Sequence, residues 1–477
     1  MRISEYYSLN RQQPTLDFVD VDIVGDVKVF VDPRALRLLP SQWGDECVSL
    51  VQHFFRTVLI AIRDGQDDLA RRLLRVLREP NETHLGLSRG RARGRALGHQ
   101  SARDVWEALS RSEAVRSGLL EDLEDTILMV EGIDVDIVSD VTTNIIRQPL
   151  IQYTQDACAI YSIPLVPSVD SGPLWDPGQM QWHSTLVPLP VAQGRKLLLV
   201  PKVIVRRRMD YDSDEYYREY LLEFLKDVEL SANSELVQLL KNGRSRVTKK
   251  DLEAKYGRGK SMIVRETRLH PEVLDHYRAD KRQRLMPPLS HDEIAEAEGT
   301  PPPDWDSLLD AMRAILTGRE HADAYEKAIE KLLTTLFYPS LANPQVQHQI
   351  HHGRKRIDLT YTNVASSGFF RWLSSHYAAP HVFVECKNYT GDPGNPELDQ
   401  LSGRFSPSRG QFGFLVCRSF ENKDLFIERC RDTALDDRGF IIALDDDDVG
   451  VLVQARRVND IAREFALLKS RFDQLIN

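Results

Sequence analysis

Residues 381–389 read HVFVECKNY and contain the residue types in this chain that are best suited to catalysis. The apolar run predicts a buried strand, in which side chains alternate between the two faces, so Glu385 and Lys387 share one face and Cys386 points to the other. Two charged side chains on one face of a buried strand are costly unless they have a use. The spacing therefore predicts a functional carboxylate–ammonium pair.

A third charged residue upstream completes a set that suits phosphodiester hydrolysis. That reaction needs an activated water, stabilisation of developing negative charge, and alignment of the attacking and leaving oxygens. Mg²⁺ or Mn²⁺ supplies much of this and binds a few oxygen ligands plus waters. We predict Asp358 and Glu385 as metal ligands, with the backbone carbonyl of Cys386 as a third, and Lys387 as the group that orients the water or neutralises charge.

The segments around these residues predict a small mixed sheet flanked by helices. Apolar residues recur at helical spacing over 325–337, and Pro396 stands at a favoured first-turn position of a later helix. Predicted strands lie at 345–351, 355–362, 381–389, 412–418 and 439–444, and further helices at 396–403 and 422–435. This alternation is typical of an α/β domain.

In this order, the motifs resemble the PD-(D/E)XK nuclease superfamily, which has the restriction-endonuclease-like fold. Asp358 matches the lone aspartate of the family, here without the preceding proline, and Glu385-Cys386-Lys387 supplies the (D/E)XK tripeptide. The resemblance covers roughly 320–445 and is closest to the type IV, methylation-dependent restriction and resolvase-like branch.

The resemblance adds two assisting residues and a function. Glu326 matches the acidic residue on the first core helix of many members, and Gln400 matches a glutamine on the helix after the motif strand. The family implies a Mg²⁺-dependent endonuclease that cuts DNA, often in bacterial restriction or anti-phage defence. It also implies a homodimer or higher oligomer, and a separate regulatory partner is compatible with the need to restrain such an enzyme.

Each site residue also has a plain structural explanation. Glu326 suits an exposed helix position, Asp358 a turn cap, and Gln400 an ordinary polar position on a helix, while Glu385 and Lys387 suit an ion pair on an edge strand. At the level of function, the alternatives are a catalytically inactive nuclease fold that binds nucleic acid or acts as a scaffold, and a nuclease directed at RNA.

Any nucleic-acid contact must come from local basic patches, because the net charge of the chain is −9. Residues 241–284 contain 14 lysines and arginines against 6 acidic residues. The predicted contact residues are Arg354, Lys355, Arg356, Lys249, Lys250 and Arg404. Two alternatives stay open: 354–356 forms a solvated turn, and part of the charge in 241–284 instead pairs with the acidic N-terminal region.

The length of 477 residues predicts two or three domains. We divide the chain into a mixed α/β region at 1–235 that senses or selects the substrate, a basic helical segment with a proline-rich linker at 236–304, and the nuclease-like domain at 305–477. Five scattered cysteines and the lack of a long apolar run predict a soluble cytoplasmic protein with no membrane contact.

The first strand of the N-terminal region is predicted at 16–24. Apolar and acidic residues alternate there, as expected for a half-buried strand. Asp17, Asp20, Asp22 and Asp26 suggest either a second metal site or the solvent-exposed face of a strand, and the second interpretation explains most of them.

Overall fold

The computed structural model describes residues 1–86, 98–242, 244–284, 286–350, 355–389 and 391–476, with the side chains of 98–104, 347–350 and 355–356 left out. The chain is mixed α/β and builds two hydrophobic cores. The first core gathers buried residues from Ile3 to Ile294, together with Tyr338, Ala342 and Val364. The second extends from Leu309 to Leu475.

Helices dominate the N-terminal region. Helices α1 to α9 span Ile3–Tyr6, Pro33–Arg37, Gln42–Arg63, Asp67–Leu74, Gly98–Arg111, Glu113–Ser117, Asp125–Met129, Val135–Ile145 and Arg147–Tyr161. The long helix α3 begins where the Ser41 hydroxyl accepts a hydrogen bond from the Gly44 backbone, and it buries Phe54 and Val58 on its apolar face. Within the described ranges, no helix has both the length and the apolar character needed to cross a bilayer.

Short strands complete this region as isolated antiparallel pairs rather than one sheet. Strands β1 to β8 span Phe30–Val31, Val166–Asp170, Leu174–Asp176, Gln181–His183, Leu186–Leu189, Val191–Ala192, Arg195–Lys196 and Val205–Arg206. The pairs are β1 with β8, β2 with β5, β3 with β4, and β6 with β7.

The strand predicted at 16–24 does not form, and two of its three acidic residues do not face solvent, while the Asp22 side chain is 45 % exposed. Asp17 and Asp20 are 4 % and 1 % exposed. Asp17 accepts a hydrogen bond of 2.9 Å from the Tyr153 hydroxyl, and Asp20 accepts hydrogen bonds from the backbone and hydroxyl of Ser4. The alternation was misleading because these carboxylates obtain partners from elsewhere in the fold and can therefore be buried.

The middle of the chain is helical and packs onto the first core. Helix α10 (Ser213–Glu215) leads into a π-helical turn at Tyr216–Leu221. The elements that follow are α11 (Leu222–Ser231), β9 (Gln238–Leu239), β10 (Ser245–Arg246), α12 (Lys249–Tyr256), α13 (Lys260–Leu269), α14 (Pro271–Gln283) and α15 (His291–Glu298). Leu252, Ile263 and Tyr277 are buried in that core, so the basic helical segment is part of the N-terminal body.

The C-terminal region forms a mixed five-stranded sheet among the residues the structure describes. Its elements are α16 (Trp305–Arg313), α17 (Ala322–Leu336), β11 (Leu341–Ile350), β12 (Lys355–Asn363), α18 (Gly368–His376), β13 (His381–Lys387), α19 (Asn395–Ser402), β14 (Phe412–Cys417), α20 (Lys423–Leu435), β15 (Phe440–Leu444), α21 (Asp446–Arg457) and α22 (Ile461–Ile476). Short 3₁₀ turns occur at Gln13–Thr15, Asn81–Thr83, Lys202–Ile204 and Arg319–His321.

Strand order in this sheet follows the chain, β11-β12-β13-β14-β15. The first three strands form an antiparallel meander, and β13, β14 and β15 run parallel. The predicted mixed sheet flanked by helices is thus confirmed. Helix α18, which the sequence analysis did not predict, connects β12 to β13 and buries Phe369 and Phe370 in the second core.

The N-terminal body lies directly on helix α17, through a segment at residues 10–17 that we call the docking segment. The Arg11 guanidinium pairs with the buried Glu330 carboxylate, 3.2 Å between Nη1 and Oε1. The Thr335 hydroxyl donates to the Pro14 carbonyl over 3.2 Å, and the Asn343 backbone donates to Asp17 over 3.1 Å. These contacts join the two cores at a helix that also carries a predicted site residue.

Candidate active site

The C-terminal end of β13 brings Glu385 and Lys387 together. Backbone pairing of Glu385 with Leu415 on β14 holds this end of the strand inside the sheet. Glu385 is 1 % exposed, and the Lys387 ammonium lies 2.7 Å from its Oε1 atom. The predicted carboxylate–ammonium pair is therefore present, on a strand with neighbours on both sides rather than at a sheet edge.

Asp358 on β12 lies beside this pair. Leu359 pairs with Val384, and continuing the antiparallel register brings Asp358 opposite Glu385. The Cys386 backbone N–H donates a 2.9 Å hydrogen bond to Asp358 Oδ2. Burial and the neighbouring Glu385 carboxylate raise the pKa of Asp358 to about 6, although the nearby Lys387 charge opposes them. Two carboxylates that are distant in sequence therefore converge.

Helix α19 supplies two further partners for Glu385. The helix has proline in its first turn and buries Leu398 and Leu401. Gln400 Nε2 donates to Glu385 Oε1 over 2.7 Å, while its Oε1 lies 3.4 Å from the Lys387 ammonium. Arg404, two residues beyond the helix, forms an ion pair with the other oxygen of Glu385. Both oxygens of this carboxylate therefore accept charged or polar donors.

Glu326 on helix α17 acts electrostatically on the Cys386 thiol. The buried Cys386 thiol has a pKa well above its ordinary value, first because of burial and then because the carboxylates of Asp358, Glu326 and Glu385 act on it. Strand alternation places this thiol on the face opposite Glu385 and Lys387. The electrostatic effect of the partly buried Glu326 is thus on this thiol, and its assisting role beside Glu385 and Lys387 stays a prediction.

Two carboxylates of the site are of the kind that can hold a hard divalent cation, and three other side chains contact the oxygens of Glu385. Mg²⁺ is commonly held by one or two carboxylates and several waters, and Asp358 and Glu385 provide two. Among the described residues there is no group of three or more His, Cys, Asp or Glu side chains arranged to hold a metal ion. Burial first, and then the neighbouring Glu385 carboxylate, raises the pKa of Asp358, so a cation bound between the two carboxylates would favour their ionised forms. The Cys386 carbonyl remains the predicted third oxygen.

The predicted nucleic-acid contacts fall partly outside the described structure. Arg354 lies outside it, and Lys355 and Arg356 belong to β12 by their backbones only, without described side chains. On α12, Lys249 pairs with Glu223 at 3.1 Å, and Lys250 is exposed. Their contact with nucleic acid stays a prediction.

Arg404 was also predicted to contact nucleic acid, but it is 5 % exposed and engaged with Glu385. The sequence analysis did not predict this ion pair. Helical spacing gave no signal for it, because Arg404 lies in the turn after α19.

Much of the positive charge in 241–284 is used inside the protein. Arg278 pairs with Asp125 at 2.6 Å, and Lys281 pairs with Glu215 at 2.6 Å. Lys260 donates 2.8 Å hydrogen bonds to two backbone carbonyls at the end of α7 and in the turn after it. The positive charge of Arg278 and Lys281 therefore pairs with acidic residues of the N-terminal region, which is one of the two uses that the sequence left open for it.

Comparison with known proteins adds one match. Residues 8–212 match the model of a family described as a domain of unknown function (DUF8370), so the match covers the N-terminal region and not the candidate site. No curated protein and no solved structure matches the chain.

Proposed function

We propose that the C-terminal region is a metal-dependent nuclease with a restriction-endonuclease-like fold. The observation that carries this proposal is the convergence of Asp358, Glu385 and Lys387 at neighbouring positions of β12 and β13. The order of helix, three-strand meander, helix and strand supports the fold assignment. DNA cleavage in restriction or anti-phage defence, by a homodimer or larger oligomer, extends the same proposal.

In this proposal, the residues of the chain position the substrate and manage its charge. A bound Mg²⁺ would polarise the scissile phosphate and lower the pKa of a water. Asp358 and Glu385 would hold that ion, and Gln400 keeps the Glu385 carboxylate oriented through its 2.7 Å hydrogen bond. Lys387 lies near enough to the same carboxylate to hold a water or to stabilise negative charge on the phosphate.

The ion pair between Arg404 and Glu385 favours a second candidate function. Arg404 occupies one oxygen of the carboxylate that would bind metal, and both residues are buried. A buried pair of this kind can also be purely structural. This observation supports an inactive nuclease fold that binds nucleic acid or serves as a scaffold.

Cleavage of supercoiled plasmid DNA in the presence of Mg²⁺ distinguishes these functions. For the nuclease, we expect nicked or linear products from the wild-type protein and a loss of rate of at least about a hundredfold in Asp358→Asn and Lys387→Ala, because each change removes a group that acts on the reacting phosphate. A single-stranded RNA substrate in parallel tests the RNA-directed alternative.

Two exposed residues of the same region provide matched controls. Asp424→Asn changes a carboxylate in the first turn of α20, and Lys327→Ala removes an ammonium from α17. Both controls should cut at the wild-type rate. Cleavage that persists in Asp358→Asn or Lys387→Ala at the rate of these controls would overturn the nuclease assignment.

A further inference from the structure

A cavity of about 780 Å³ lies within the N-terminal body, inside the part of the chain that matches the family of unknown function. Its wall is formed by residues after helix α4, by the junction of α8 and α9, and by the loops around β3, β4 and β7. No residue of the second core lines it. The volume is in the range of sites for organic ligands and is much larger than a single inorganic anion needs.

Two cations meet at one glycine in this wall. Gly172 has a φ of +74°, and a Cβ atom added to it would lie 3.1 Å from Arg147 Nη1 and 3.2 Å from Lys196 Nζ. The absence of a side chain therefore leaves open a small space bordered by a guanidinium and an ammonium. Burial, together with the neighbouring Arg147 charge, lowers the pKa of Lys196. Lys196 also donates to the Asp170 carbonyl over 2.8 Å and lies 4.0 Å from its carboxylate, and an anion over Gly172 would add a counter-charge shared by both cations.

The Arg147 side chain has hydrogen-bonding capacity left over. It is 5 % exposed, pairs with Glu82, and donates to Asn144 Oδ1 over 3.0 Å. Its Nε atom is buried and has no hydrogen-bond partner. This Nε–H is enclosed by protein atoms, so a ligand in the cavity would be held through the Nη atoms, one of which borders Gly172.

The rest of the lining combines further charged side chains of both signs with the indole ring of Trp182. The Trp182 ring is fixed by an indole hydrogen bond of 2.9 Å to the Leu73 carbonyl and by edge contact with Phe54. The Glu79 carboxylate also lines the cavity and can accept hydrogen bonds from amino or hydroxyl groups. An aromatic wall is a stacking surface for a nucleobase.

We propose that this cavity binds a nucleoside phosphate, with its phosphate between Arg147 and Lys196 over Gly172 and its base near Trp182. This proposal is independent of the nuclease assignment. A phosphate joined to a nucleoside occurs both in a free nucleotide and at the 5′-phosphorylated end of a nucleic-acid strand.

The test is direct binding of AMP, GMP, CMP and UMP to the full chain, by calorimetry and by the shift in thermal unfolding. We expect saturable binding of at least one of them. The corresponding nucleoside should bind at least about tenfold more weakly, because it lacks the charge-assisted contacts of the phosphate. A 5′-phosphorylated dinucleotide in parallel separates the two sources: tighter binding than the mononucleotide indicates a strand end, and equal or weaker binding a free nucleotide.

Three variants locate the site. Lys196→Gln and Gly172→Ala should each weaken binding by about tenfold or more, by removing a charge and by filling the space between the cations. Lys28→Gln, on an exposed lysine elsewhere in the same body, should bind as the wild type does. The proposal is overturned if none of the four nucleotides binds saturably, if a nucleoside binds as tightly as its phosphate, or if Lys196→Gln keeps the wild-type affinity.

Discussion

The chemistry of the candidate site depends on how a few side chains share charge. Asp358 and Glu385 approach each other under burial, and Lys387 and Arg404 bring compensating positive charge. Cys386 lies between the charged residues on β13 and contributes its backbone N–H to Asp358. Its thiol is buried with a strongly raised pKa, so it is protonated at neutral pH and poorly reactive.

Replacement of the Cys386 thiol should therefore leave the site working. We expect Cys386→Ala to cleave plasmid DNA within about twofold of the wild-type rate and to lose about 1 kcal/mol of stability, since only a buried side-chain atom is removed. The measurement is the cleavage time course together with urea unfolding. Loss of cleavage in a folded Cys386→Ala protein would show that the thiol itself takes part.

Residue spacing was sufficient to predict Glu385 and Lys387 at one place, because strand periodicity determines which side chains share a face, whereas Gln400 came from the resemblance. Spacing was insufficient for Arg404, whose position depends on the turn after α19. It also failed for Asp17, because a buried carboxylate with a tyrosine partner looks like an exposed one in the sequence pattern.

At the scale of elements, the five-stranded sheet and its helices were predictable from strong local patterns. The elements β13, β14 and β15 are short apolar runs bounded by polar residues, and their observed bounds lie within three residues of the predicted ones. Helix α18 was not predicted, since its packing on the core is a tertiary effect. The N-terminal body was predicted least well, because its very short strands have no periodicity to detect.

Helix α17 is the element through which the two halves meet, and its contact with the docking segment should be energetically significant. Arg11→Met leaves the Glu330 carboxylate buried without its cation, since Glu330 has a side-chain exposure of 2 %. We expect a loss of about 3 kcal/mol in the free energy of unfolding, measured by urea titration.

The double variant Arg11→Met/Glu330→Leu should recover most of that loss, because it removes both charges. Arg72→Met, on the exposed face of α4, is the control and should stay near the wild-type stability. A single Arg11→Met variant as stable as this control would show that the ion pair does not hold the two cores together.

At the scale of the whole molecule, two cores meet along α17 and a half-buried histidine lies at this junction. His291 on α15 donates from Nε2 to the Thr335 carbonyl over 2.9 Å and packs against Tyr338. Burial, with the Lys202 charge adding to it, lowers the pKa of His291 from 6.5 to about 3. The neutral imidazole is thus the form that fits the folded protein.

Acid should therefore destabilise the junction. Below about pH 6.5 the unfolded chain takes up a proton on His291 that the folded chain does not, so stability is complete above that pH and falls as the pH decreases towards 3. As the pH falls, we expect the free energy of unfolding of the wild type to decrease by up to about 1.4 kcal/mol per pH unit more than that of His291→Gln. Urea unfolding at pH 7.5, 6.5 and 5.5 measures this pH dependence, and His53→Gln, a change at an exposed histidine, is the control. Equal slopes of unfolding free energy against pH for the wild type and His291→Gln would contradict the prediction.

Titration with Mn²⁺ by calorimetry tests the central claim most directly, because it asks whether Asp358 and Glu385 together hold one divalent ion. The wild-type protein should bind Mn²⁺ with a heat that disappears in both Asp358→Asn and Glu385→Gln and persists in Asp424→Asn. A wild-type protein that gives no heat, or variants that give the same heat as the wild type, would contradict the account.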